Sequence, residues 1–99
     1  MVARRYGSFL LGQVLRITQP DQAYFWATHQ GAELDLLIFK DQQRVGVEFK
    51  RSDAPGLTAS MRVALSDLKL DKLYVVYPGH QRYALAPNVE VVPLTALLP

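Results

Sequence analysis

The stretch Gly31–Lys50, GAELDLLIFKDQQRVGVEFK, decides the fold. Two apolar runs of strand length, rich in Leu, Ile, Val and Phe, flank the polar break Asp41-Gln42-Gln43, which is the pattern of a β-hairpin. A turn symmetric about the Asp41–Gln42 bond, whether its loop has two residues or four, sets Asp35 opposite Glu48 and Glu33 opposite Lys50. Side chains alternate along a strand, so Glu33 and Asp35 are expected to share a face, as are Glu48 and Lys50, while Val45, Val47 and Phe49 point the other way. Three carboxylates and one amine then converge at the open end of the hairpin. Like charges directly across a ladder disfavour each other. Asp35 against Glu48 therefore calls for a compensating cation, and oxygen ligands of this kind suit magnesium.

Outward from the hairpin, Met1 to Ile17 reads as a helix with Tyr6, Leu10, Val14 and Ile17 as its apolar stripe, widened by Leu11 and Leu15. Gly7 and Gly12 weaken it, each by roughly 1 kcal/mol against alanine. Thr18 to Gln22 holds a Pro-Asp turn signal, and Ala23 to Thr28 is an aromatic strand with Tyr24 and Trp26 on one face and Phe25 on the other. His29-Gln30-Gly31 breaks that strand and leads into the hairpin, which makes three antiparallel strands in a meander. Arg51 to Gly56 is a Ser/Asp/Pro/Gly loop. Thr58 or Ser60 caps a second helix running to about Lys69, with Met61, Ala64, Leu65 and Leu68 as its buried stripe. Leu73 to Tyr77 is a fully buried strand ended by Pro78-Gly79, and Tyr83 to Leu85 and Val89 to Val92 add short C-terminal edge strands. The expected fold is thus α/β: helix, three-stranded antiparallel meander, helix, strand. The last main strand lies parallel to the third strand of the meander through a right-handed crossover, with both helices covering sheet faces.

Ninety-nine residues form one domain, residues 1–99, with a single modest core. Hydrophobic residues make up 49% and charged residues 20%, an ordinary globular balance that argues against disorder. The net charge of +2 is too small to imply a nucleic-acid partner by itself. Its distribution is uneven, since Arg4, Arg5 and Arg16 precede any acid. The absence of cysteine excludes disulfides and thiolate zinc sites and fits a reducing cytosol. No apolar run reaches the roughly 18 residues of a membrane span. The segment Phe9–Leu11 is too short for a signal-peptide core of roughly 7 to 15 residues. A cytoplasmic protein is the expectation.

The combination of Asp35 with the Glu-x-Lys at Glu48 and Lys50, set in a helix, meander, helix, strand order, resembles the PD-(D/E)XK restriction-endonuclease-like superfamily. More narrowly, YFWATHQGAELDLLIF, VEFKRSDAPGLTASM and LYVVYPG are similar to the domain of unknown function that follows AAA-type P-loop ATPase domains in many bacterial and archaeal proteins. The resemblance implies a nuclease-like domain that binds DNA, accessory to an ATPase. In it Asp35 and Glu48 hold magnesium, and Lys50 positions or activates the water that attacks a phosphodiester. Glu33 is an accessory acid. Members of the narrower family often carry Glu where this chain has Gly12, and that departure lowers the expectation of cleavage. The chain has no G-x-x-x-x-G-K-[ST] loop, so any ATP-binding part lies elsewhere, with this domain as the C-terminal part of a larger ATPase protein.

Each of these features also has a plainer use. Glu33 and Lys50 could form a solvated ion pair worth about 0.2 to 1 kcal/mol, though that leaves Asp35 against Glu48 unexplained. Arg51 and Arg62, with Arg4, Arg5 and Arg16, could contact phosphates or simply solvate the surface. Tyr24, Phe25 and Trp26 could stack on bases or fill a small core. His29 reads as a turn residue, and His80 carries no role. The alternative function is a catalytically silent adaptor that binds the ATPase or another protein.

Overall fold

In a computed structural model of the chain, residues 7–97 are described. The element order is α1 (Gly7–Thr18), β1 (Gln22–Ala27), β2 (Glu33–Lys40), β3 (Gln43–Phe49), α2 (Ala59–Asp67), β4 (Lys72–Tyr77), β5 (Tyr83–Ala86), β6 (Val89–Pro93) and a closing 3-10 turn, Leu94–Leu97. The six strands form one sheet in the order β1-β2-β3-β4-β6-β5. The hairpin turn is the two-residue form. Asp41 and Gln42 have φ of 52° and 66°, the left-handed pair of a type I′ turn, and Lys40 pairs with Gln43. Leu36 pairs with Val47 in the register expected from the sequence.

β4 lies parallel to β3, as a crossover through α2 requires. Val89–Pro93 differs from its sequence reading. It is not an edge strand but pairs in parallel with β4, between β4 and β5. Its Val89, Val91 and Val92 are buried, the composition of a strand covered on both faces.

The two helices take opposite faces. Leu10 and Val14 of α1 pack with Leu36, Ile38, Val47, Phe49, Val76 and Val92. Met61 and Ala64 of α2 pack with Leu34, Leu37, Leu73, Val75, Tyr77, Val89 and Val91. Thr58 is the cap of α2, its hydroxyl accepting from the Met61 N–H at 3.1 Å. Ser60, the other candidate, instead exchanges two hydrogen bonds with the backbone of Glu33 at 2.9 and 3.1 Å and pins α2 to β2. The α1 stripe is narrower than expected. Ile17 is 51% and Leu15 38% exposed, while Leu10 and Val14 are buried against the sheet and Leu11 packs beside them. Tyr6, Arg4 and Arg5 lie outside the described residues. The C-terminal end of α1 is closed by Lys40, whose ammonium donates to the carbonyls of Thr18 and Gln19, a cation where the helix dipole is negative. Gln13 donates to the Leu97 carbonyl at 2.8 Å and ties the closing turn to the same helix.

Two glycines make opposite predictions. A Cβ on Gly46 would stand 2.9 to 3.1 Å from side-chain methyls of Leu70, Leu73 and Leu34. Gly46→Ala should therefore cost about 1–3 kcal/mol in denaturant unfolding. Around Gly12 the space is open, so Gly12→Ala should stabilise the fold by up to about 1 kcal/mol, read as a rise in melting temperature.

Candidate functional site

The site forms where β2 and β3 stop pairing through their main chains. On β1, Tyr24 pairs with Leu37 and Trp26 with Leu34, so Phe25 alone stands against both Asp35 and Leu36. This is a β-bulge, a device that re-aims side chains. Strict alternation cannot run through it. Leu34 packs on the α2 side of the sheet while Leu36 packs on the α1 side. Alternation alone therefore does not fix whether Asp35 shares a face with Glu33.

Asp35 and Glu48 nevertheless meet, through a reciprocal pair of hydrogen bonds. The Asp35 N–H donates to Glu48 Oε1 at 3.2 Å, and the Phe49 N–H donates to Asp35 Oδ2 at 2.9 Å. Both residues are 8% exposed. They are the two buried charged residues among those described. Lys50 Nζ stands 3.5 Å from Glu48 Oε2, while its own N–H donates to the Val76 carbonyl at 2.8 Å and holds the end of β3 against β4. Burial, and next the charge of Asp35, push the Glu48 carboxyl up to about 7, against the pull of the Asp35 N–H and the Lys50 ammonium. The Lys50 ammonium offsets that upward push only in part.

The remaining residues divide. Glu33 is half-buried and held through its backbone by Ser60. Among the described residues no set of three or more His, Cys, Asp or Glu stands close enough to share a metal ion. The carboxylates brought together are thus two, with one amine. Magnesium is commonly held by one or two carboxylates with water filling the other positions, so the donor set Asp35 and Glu48 fits such an ion. Arg51 is exposed and lines a shallow groove with Lys50, Pro78 and Leu94. Arg62 stands exposed on α2, and His29 and His80 are exposed in a turn and a loop. Trp26 packs on the α2 core, while Tyr24 stays 49% exposed with its ring edge-on to Phe39. Sequence reasoning missed Tyr83, whose hydroxyl donates to the Pro55 carbonyl at 2.9 Å and fastens the loop after Lys50 to β5. A lone tyrosine in a four-residue strand gives no sequence signal of such a latch.

Against known families, residues 6–97 match a domain of unknown function, DUF4143. The chain belongs to that family. It is 41% identical over 90 residues to uncharacterized proteins of Mycobacterium bovis and Mycobacterium tuberculosis. Each alignment covers 91% of this chain and 20% of the relative, so the chain spans about a fifth of their length. No solved structure matches it. No helix among the described residues of this DUF4143 domain is long and apolar enough to cross a membrane.

Two predictions rest on this pair. Asp35→Ala strands the Phe49 N–H and should cost about 1–3 kcal/mol, whereas Asp35→Asn keeps an acceptor and should cost less, as chemical denaturation will read. Because Glu48 titrates above its unfolded value of 4.5, the folded chain retains a proton that the unfolded chain has released between pH 4.5 and about 7. Its contribution to stability is therefore full below that window and lost as pH rises through it, by at most about 1.4 kcal/mol per pH unit. Glu48→Gln should remove that slope from the difference between variant and wild-type unfolding curves.

Proposed function

We propose that the domain is a nuclease-like module accessory to an ATPase, binding DNA beside a magnesium ion held by Asp35 and Glu48. The observation that carries this reading is the buried Asp35–Glu48 pair with Lys50 3.5 Å from Glu48, set where a bulge ends regular pairing. The order α1-β1-β2-β3-α2-β4, with β4 parallel to β3, agrees with the restriction-endonuclease-like expectation. A bound magnesium supplies charge to offset a developing phosphate negative charge and acidifies a water. Asp35 and Glu48 would be the residues to hold the ion, and Lys50, partly exposed and 3.5 Å from Glu48 Oε2, would present positive potential toward the phosphate. Arg51, beside Lys50, extends that potential along the groove. The ATPase context rests on the likeness of the quoted strings and on relatives that extend far beyond this domain.

The adaptor reading draws on a different observation: each carboxylate already serves as acceptor for a main-chain N–H, a structural task that needs no ion. Gly12 adds to it, since no carboxylate can come from that position of α1. Calorimetric titration of magnesium and manganese into wild type and Asp35→Asn separates the two. Saturable binding with proton release in the wild type, lost in the variant, is expected; binding by neither chain overturns the nuclease reading. DNA affinity should fall steeply as salt rises, and flat or absent binding favours the adaptor.

A further inference from the structure

Three neighbouring strands, β3, β4 and β6, run parallel and end on the same side of the domain. The residues that follow them, Lys50 and Arg51 after Phe49, Pro78 after Tyr77 and Leu94 after Pro93, together line a cleft of about 230 Å³. In open α/β sheets, ligands bind outside the carboxyl ends of the strands, where connections part to opposite faces. The chain leaves β3 for α2 on one face and β6 for the Leu94–Leu97 turn on the other, so the cleft lies at such a point. Its walls are fixed. Tyr83 holds the loop after Arg51 through the Pro55 carbonyl, and Gln13 holds the Leu97 carbonyl. The Tyr77 hydroxyl accepts from the Gln81 N–H and donates to the Gln81 carbonyl, both at 2.8 Å. A Cβ on Gly79 would fall 2.3 Å from the Tyr77 ring, so the turn after Pro78 closes in this way only with glycine.

We propose that this cleft seats one unpaired nucleotide of a DNA strand, an assignment that rests on the DNA-binding reading above and names the form of DNA. Two cations beside two apolar side chains match a unit with a phosphate at one end and a flat ring at the other. In a duplex the phosphates lie outside while the base faces are covered by stacking. A cleft offering both kinds of contact therefore meets its complement only in a nucleotide taken out of the stack. Duplexes are read instead by convex elements, a helix or a two-stranded ribbon that enters the major groove. A concave site at strand ends has the reverse shape. Its volume sets the number of units: it is below the roughly 300–1,000 Å³ of drug-sized pockets, room for one nucleotide and not a run. Lys50 belongs both to the cleft and to the acid pair, with Nζ 3.5 Å from Glu48 Oε2, so a seated nucleotide brings its phosphate to the edge of the carboxylates.

Fluorescence anisotropy of labelled DNA with the 99-residue chain, in the absence of divalent metal, tests the seat apart from any ion. A circular single strand should bind about tenfold more tightly than the relaxed, covalently closed duplex of the same sequence, neither of which has ends. Arg51→Ala should weaken single-strand binding and reduce the slope of log affinity against log salt by about 0.7. Leu94→Ser removes an apolar wall and should weaken binding of the single strand while leaving that of the duplex unchanged, with circular dichroism confirming a folded chain. Equal affinity for the two circles overturns the proposal and leaves the DNA-binding reading standing, whereas binding of neither overturns both. Binding of deoxyadenosine monophosphate with no gain for the strand also overturns it, since the seat would then serve a free nucleotide.

Discussion

Everything that distinguishes this domain depends on the exchange of hydrogen bonds between Asp35 and Glu48. Where the β2–β3 ladder ends, the Asp35 carboxylate accepts the Phe49 N–H of β3 and the Glu48 carboxylate accepts the Asp35 N–H of β2, each in place of a main-chain carbonyl. A main-chain N–H left unpaired in a buried place costs about 1–3 kcal/mol. The acids therefore have a structural task whether or not they have a chemical one. Their closeness then raises the Glu48 carboxyl toward neutrality, because burial disfavours its charge and Asp35 repels it. Structure and latent chemistry come from the same two bonds.

The surroundings keep that pair in place. Ser60 ties α2 to the Glu33 backbone, Lys50 fastens the end of β3 to β4, and Tyr83 holds the following loop through Pro55. Rigid elements on both sides hold a carboxylate pair at fixed spacing better than a loop could. On the opposite face the cover is thinner, with Leu10 and Val14 as the buried contacts of α1 and Ile17 left half exposed.

Much of this was legible because the hairpin announces itself. Apolar runs around Asp41-Gln42 gave the register as far as Leu36 and Val47, and beyond it Asp35 and Glu48 meet through side-chain to main-chain bonds rather than as ladder partners. Thr58 as one of two cap candidates, Met61 and Ala64 as the buried part of a stripe that also took in Leu65 and Leu68, and a parallel β4 follow from patterns that tertiary packing did not override. The bulge was not legible, since Leu34-Asp35-Leu36-Leu37 is apolar on both sides of the acid and gives no sign of which residue is extra. Val89–Val92 was short enough to pass for an edge, and only its company in the sheet shows it to be interior. Glu33 followed from alternation, which the bulge suspends.

The most direct test is carbon-detected NMR titration of the Glu48 side-chain carboxyl in the wild type and in Asp35→Asn. The account predicts a midpoint near 7 in the wild type and a lower one once the neighbouring charge is gone. A midpoint in the ordinary carboxylate range in both chains would mean that the two acids do not share a buried environment, and would contradict it.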